Sequence, residues 1–153
     1  MILSQKETML LQDLKTQEQL CVDKYNKYAN QACDGQLKQL FSSIAQVEQS
    51  HLNIINQMIG GTVPQPKGQG GQQGGQQPAA PQPSGCSAPE KQMDAYLCQD
   101  ALDTEKHVSA LYDTCIFEFK GEDARSMLNQ IQKQEQEHGK RIYDYMAANN
   151  MYN

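Results

Sequence analysis

The sequence predicts an all-α fold: an antiparallel four-helix bundle made of two similar helical hairpins joined by a long flexible crossover. Three observations predict it. Along four segments the apolar residues recur at alternating steps of three and four, the spacing that gathers side chains on one face of a helix. The chain also repeats itself. At an offset of 87 residues, without a gap, Leu10 falls on Leu97, Asp13 on Asp100, Glu18 on Glu105, Tyr25 on Tyr112, Ile44 on Ile131, Glu48 on Glu135, His51 on His138 and Ile55 on Ile142. Between the copies, from Gly60 to Ser87, the composition turns to Gly, Gln and Pro, and such a stretch has almost no side chain able to bury apolar surface.

The first hairpin is expected over residues 1–59. Ser4-x-x-Glu7 is a capping box that opens its first helix, whose inward stripe reads Leu11, Leu14, Glu18, Cys21, Tyr25, Tyr28 and Ala32. Asp34-Gly35 separates it from a second helix with the stripe Leu37, Phe41, Ile44, Glu48, His51, Ile55 and Met58. Residues 60–88 form the Gly/Gln/Pro-rich linker. The second and third helices of such a bundle run parallel, so the linker must travel the length of a helix, roughly 40 Å at 1.5 Å per residue. Its excess length would also let hairpins exchange between two molecules, giving a homodimer.

The second hairpin is expected over residues 89–153. Ser87-x-x-Glu90, with Pro89 in the first turn, marks its start, and the stripe continues with Cys98, Ala101, Glu105, Val108, Tyr112, Cys115 and Phe119. Lys120-Gly121 leads into the last helix, with Ala124, Leu128, Ile131, Glu135, His138, Ile142 and Tyr145 facing inward. At both turns the glycine is expected to end the preceding helix with a positive φ.

Composition narrows the function. A chain of 153 residues has room for one domain with a real core. Its net charge is −5 and it has no basic run longer than Gly139-Lys140-Arg141, so the phosphate-neutralising footprint of a nucleic-acid binder is missing. Met1–Lys15 carries no secretory signal pattern, and no apolar run approaches the ~20 residues of a membrane span; the expectation is a cytoplasmic protein. Five cysteines, an odd number without a Cys-x-x-Cys, argue against a disulfide framework and a thiolate zinc site. They are expected as reduced core residues, except Cys86, whose place in the linker suits a cross-link to another chain.

The chemistry lies in six residues: Glu18, then Glu48-x-x-His51, and in the second copy Glu105, then Glu135-x-x-His138. A carboxylate-bridged two-metal site in a four-helix bundle takes one Glu from each of two helices and a Glu-x-x-His from each of the others. Residues three apart on a helix share a face, so both members of each Glu-x-x-His reach one ion. Four carboxylates at one level of an apolar bundle cannot all stay ionised without compensation. Two divalent cations would compensate them, Glu48 and Glu135 bridging, Glu18 and Glu105 terminal, His51 and His138 one on each ion. Oxygen and imidazole donors without thiolate favour iron or manganese, with zinc as an adventitious occupant. The plainer alternative is an empty site, a metal-free network of protonated carboxyls paired with imidazoles. Tyr25 and Tyr112 read first as core aromatics and second as hydrogen-bonding or redox-active neighbours of the metals. His107 points away from the stripe and reads as a surface residue.

This duplicated pattern, with a Tyr seven residues after each single Glu, resembles the ferritin-like superfamily, which includes ferritins, rubrerythrins and manganese catalases. The second half, with Leu102-Asp-Thr-Glu-Lys-His-Val-Ser-Ala-Leu-Tyr-Asp-Thr, Gln134-Glu-Gln-Glu-His138, Ile142-Tyr-Asp-Tyr-Met146 and Tyr152, resembles the spore coat protein F family of endospore-forming bacteria. The resemblance implies a ferritin-like bundle made in the mother-cell cytoplasm and deposited in the spore coat among other coat proteins, in a structural or assembly role. Some members lack part of the ligand set, whereas all six positions are filled here. The alternative is a ferritin-like di-iron or di-manganese redox enzyme of oxidase, peroxidase or catalase type; a storage cage is disfavoured, since no short fifth helix is evident. Exposed Gln and Lys, Tyr143, Tyr145, Tyr152 and Cys86 are compatible with cross-linking in a coat, though ordinary surface and core roles account for them.

Overall fold

A computed structural model describes residues 1–65 and 80–152. Residues 66–79, about half of the expected flexible crossover, and Asn153 lie outside the described residues. Four helices follow one another: α1 (Gln5–Gln31), α2 (Gly35–Ile59), α3 (Ala88–Glu118) and α4 (Glu122–Ala148), with no strand among the described residues. None of these helices is long and apolar enough to cross a membrane.

Both expected capping boxes form. Ser4 accepts from the Glu7 amide while Glu7 accepts from the Ser4 amide, and Ser87 and Glu90 do the same for α3, with Pro89 in the first turn. The two glycines behave otherwise than expected. Gly35 is the first residue of α2, behind Asp34, whose side chain caps the Gln36 amide, and Gly121 is the N-cap of α4 at φ −71°. Neither ends the helix before it. Instead α1 and α3 exit through Ala32 and Phe119, an equivalent pair in the repeat, both in extended conformation (ψ 141° and 132°). Both side chains are buried, so the helix ends where the backbone must turn to place an apolar group over the end of the core.

Contacts at the two ends of the bundle fix its topology. The Met1 ammonium donates to the Gly61 carbonyl at 2.8 Å, which puts the start of α1 beside the end of α2. The Lys120 amide donates to Glu7 Oε1 at 3.1 Å, so the α3–α4 turn is at this end too. At the other end, Asp94 near the start of α3 accepts from the Cys33 and Asp34 amides of the α1–α2 turn at 2.8 and 3.0 Å, and Tyr145 near the end of α4 donates to Asp34 at 2.6 Å. Hence α1 is antiparallel to α2 and α3, and α4 is antiparallel to α3 and α2. The chain must cross the full bundle between α2 and α3. α1 packs chiefly along α2, and α3 along α4, with lesser contact between α1 and α3 and between α2 and α4.

Glu7 and Asp94 are themselves repeat equivalents, and each holds the turn of the opposite helix pair. Both are buried carboxylates. The Ser4 amide, aided by the Lys120 amide, holds Glu7 below the ordinary glutamate range against the opposing effect of burial. Hydrogen bonds to a charged acceptor contribute about 1.5–3 kcal/mol, so Glu7→Ala should cost about 2 kcal/mol in urea unfolding. Glu90→Ala, which removes an exposed capping box with no long-range acceptor role, should cost less. Because the folded pKa of Glu7 is depressed, its contribution is complete above about pH 4.3. It disappears as the pH falls through the folded value, so the two unfolding curves should converge in acid.

The core follows the expected stripes. Of the 28 stripe positions named above, only Tyr28 and Tyr145 are less than fully buried. Their rings lie against the core while their hydroxyls reach Asp100 at 2.5 Å and Asp34 at 2.6 Å, the usual compromise of an amphipathic side chain. Lys24 joins the first of these, 2.9 Å from Asp100 and 2.8 Å from Thr104, clasping α1 to α3.

The cysteines correct one expectation. Cys21, Cys98 and Cys115 are buried thiols as expected, but Cys33 and Cys86 are joined to each other, with Cα atoms 6.1 Å apart. Cys33 is not a core residue. It sits half-buried in the α1–α2 turn that Asp94 holds against the start of α3, and Cys86 directly precedes the Ser87 cap of that helix. The topology therefore brings together, within one chain, two cysteines whose sequence positions gave no hint of pairing.

Candidate metal centre

All six candidate ligands are buried and converge halfway along the bundle. Each helix supplies its share for a local reason. Glu18 and Glu105 stand between apolar stripe residues of α1 and α3, so the packing that buries Leu14 and Cys21, or Ala101 and Val108, buries them too. Glu48 with His51, and Glu135 with His138, occupy consecutive inward turns of α2 and α4. The ligand atoms fall into two overlapping groups: Glu18, Glu48, His51 and Glu135, and Glu48, Glu105, Glu135 and His138, with the atoms of each group within 4.8 Å of one another. Glu48 and Glu135 belong to both groups, the position a bridging carboxylate needs.

Both imidazoles turn Nδ1 toward the carboxylates. His51 Nδ1 lies 2.9 Å from Glu135, 3.1 Å from Glu48 and 3.8 Å from Glu18. His138 Nδ1 lies 3.3 Å from Glu48, 3.4 Å from Glu135 and 3.6 Å from Glu105. The rings are stacked with centroids 6.0 Å apart.

Electrostatics explain how so acidic a cluster sits in an apolar core. Burial raises the carboxyls of Glu18 and Glu105 well above the ordinary glutamate value, with neighbouring carboxylates adding to the effect and the imidazoles opposing it. Burial also works against charge on His51 and His138, but the carboxylates crowded around each Nδ1 raise both well above the ordinary histidine value. It would raise Glu135 likewise, yet the close approach of Glu105, His138 and His51 holds that residue well below. Two protons held by Glu18 and Glu105 and two more on the imidazoles would neutralise the cluster without a metal.

Neutrality is not the whole requirement, because buried polar atoms also need partners. Glu18 Oε2, Glu48 Oε1, Glu105 Oε2, Glu135 Oε2 and His138 Nδ1 are buried without a hydrogen-bond partner among the described residues. Every one of these five belongs to the six-residue set. Each orphan costs about 1–3 kcal/mol, and Glu18 Oε2, Glu48 Oε1 and Glu135 Oε2 each lie within 4 Å of a candidate ligand's Nδ1. Two divalent cations would satisfy both requirements, balancing four carboxylates and engaging the orphaned atoms. The donors are hard oxygens and imidazole nitrogens, suited to iron or manganese. Burial and the nearby carboxylates Glu48, Glu18 and Glu135 push the Cys21 thiol far up, keeping it protonated and outside the donor set.

A second layer of residues orients the first. Tyr25 on α1 donates to Glu105 Oε1 on α3, and Tyr112 on α3 donates to Glu18 Oε1 on α1. The tyrosines are thus more than core aromatics: each donates to the single inward glutamate of the opposite copy. Gln134 Oε1 lies 2.7 Å from His51 Nε2. Sequence reasoning quoted Gln134 only as part of a motif and gave it no role at the site; the only signal was its position next to an inward Glu. His107 is exposed, as expected. Removing the hydroxyl in Tyr112→Phe leaves a buried acceptor without its donor. A loss of about 1–3 kcal/mol in metal-free protein is expected, with a similar loss for Tyr25→Phe, read from urea unfolding midpoints.

Residues 93–153 match the Coat F domain family. No curated protein and no solved structure matches the chain. The matched segment begins in the second turn of α3 and supplies Glu105, Glu135 and His138, while Glu18, Glu48 and His51 come from outside it. Through residues 93–153, half of its candidate metal centre included, the chain is similar to the Coat F domain family.

Proposed function

We propose that this chain is a structural or assembly component of the bacterial spore coat, a ferritin-like four-helix bundle holding a di-metal carboxylate centre. Two helical hairpins, residues 1–59 and 89–153, joined by a crossover over residues 60–88, make the bundle. The coat assignment is carried by the Coat F match, and the metal centre by the five partnerless buried atoms that all belong to the six candidate ligands. Synthesis in the mother-cell cytoplasm, deposition in the coat and association with other coat proteins follow from that assignment.

Bound iron or manganese would supply a Lewis-acidic, redox-active pair. Glu48 and Glu135 would bridge it, Glu18 and His51 would complete one end, and Glu105 and His138 the other. Tyr25 and Tyr112 hold the terminal carboxylates in place, and the apolar stripes above and below exclude water. A redox enzyme of oxidase, peroxidase or catalase type is the second reading. It is favoured by the two buried hydroxyls that donate hydrogen bonds to Glu18 and Glu105 beside the proposed metals.

Elemental analysis of protein purified without affinity-tag metals, followed by peroxide-consumption and iron(II)-oxidation assays, separates the readings. Stoichiometric metal without turnover supports the coat component, turnover supports the enzyme, and no uptake after reconstitution removes both metal readings. Hairpin exchange is open to a simpler test. A swapped homodimer would set Cys33 of one chain against Cys86 of the other, so the oxidised protein would run as a covalent dimer on a non-reducing gel. The closed single-chain bundle runs as a monomer.

A further inference from the structure

The 87-residue repeat relates nearly every contact of the centre to a counterpart in the other copy, and the contact that breaks this symmetry is informative. Tyr25 with Glu105 mirrors Tyr112 with Glu18. His51 and His138 mirror each other in turning Nδ1 inward. Gln134 has no counterpart: 87 residues earlier the chain has Val47, an apolar side chain with no acceptor. His51 Nε2 therefore has an amide oxygen 2.7 Å away, while no described residue accepts from His138 Nε2.

We propose that Gln134 is a positioning residue that makes the two halves of the centre unequal, so that the group of Glu18, Glu48, His51 and Glu135 takes up the first ion. This rests on the di-metal reading above. An imidazole whose Nε2–H donates to a fixed acceptor has its ring plane set and keeps that proton, so Nδ1 faces the ligand cluster and is the nitrogen whose proton an arriving ion displaces. His51 is in that state, with Gln134 behind it and three carboxylates in front. His138 must choose a tautomer when its ion binds, and its Nδ1 is among the atoms left without a partner. Outer partners of this kind change metal affinity by roughly 10–100-fold. Two otherwise similar sites should accordingly load in two resolved steps, with the His51 side ahead by about that factor.

The test is anaerobic titration of the metal-free full chain with manganese(II) alone, followed by calorimetry and by the electron paramagnetic resonance of free ion. It is paired with nitrogen NMR of the two histidines before metal is added. The intact chain should show two steps and a His51 ring held as the Nε2–H form when neutral. Gln134→Leu should weaken the tighter step by roughly 10–100-fold, leave the weaker one in place and release the His51 tautomer. Gln134→Glu, which keeps an acceptor, should retain both the tight step and the tautomer. Val47→Gln should bring the second step toward the first, a gain that a merely destabilised bundle cannot produce. Two steps unchanged in Gln134→Leu, or equal weakening of both, overturn this assignment and leave the di-metal reading standing. No manganese uptake by the intact chain overturns both.

Discussion

Replacing Glu135 by alanine is expected to abolish uptake of both ions, taking the protein from two metals per chain to none. Glu135 is common to both ligand groups and is the shared partner of the two imidazoles, 2.9 Å from His51 Nδ1 and 3.4 Å from His138 Nδ1. Its loss deprives both sites of a donor and leaves two buried groups, each held in its charged form, short of their main counter-charge. Removing one partner of a buried charged network costs about 3–5 kcal/mol, so the metal-free variant should also unfold at markedly lower urea. Glu48→Ala should behave alike in metal uptake, because Glu48 is the other shared residue. His107→Ala, on the exposed face of α3, should keep both ions and full stability. Equal loss from all three substitutions would contradict the inward assignment of the ligands.

The second large effect concerns the bond between Cys33 and Cys86. It closes a loop across a sequence separation of 53 residues, and loop-closure entropy for that length corresponds to about 4 kcal/mol. Cys86→Ser should therefore lower the unfolding free energy by about 4 kcal/mol. Reductant should do the same to the unaltered chain, and Cys33→Ser with Cys86→Ser together should cost no more than either alone. Cys98→Ser offers a control, since this thiol is buried and unpaired and its pKa is pushed up to about 12 chiefly by burial, with Asp94 and Asp34 adding to it. A urea midpoint insensitive to reductant would show that the bond does not restrain the unfolded chain. Asp94 already ties the same turn to α3 through two amide hydrogen bonds, so the bundle should remain folded when reduced.

The bundle and the convergence of the six candidate residues were legible in the sequence because both depend on periodicity, and periodicity is what a helix reports directly. The repeat of Glu18 and Glu-x-x-His on apolar stripes was enough to bring six residues to one level, since each pair of helices turns back at matching distances from its ligands. What was illegible depends on which turn meets which helix. Cys33 and Cys86 pair because the α1–α2 turn and the start of α3 share one end of the bundle, and Asp94 and Glu7 act as turn anchors for the same reason. Gln134 was invisible for a subtler cause: it lies one residue outside the inward stripe, and its amide reaches His51 across the boundary between α4 and α2. The glycines misled because Gly35 and Gly121 do lie at the turns, but the chain leaves each helix through a buried Ala32 or Phe119 and then uses the glycine to enter the next.

The central claim is that the two hairpins jointly hold a pair of cations. Anomalous diffraction from crystals of the full chain grown with manganese(II) tests it most directly. The account predicts two peaks roughly 3.5–4 Å apart, one beside Glu18 and His51 and the other beside Glu105 and His138, with the Glu48 and Glu135 carboxylates between them. Crystals that show no peak among these six side chains, or manganese held only at surface carboxylates, would contradict it.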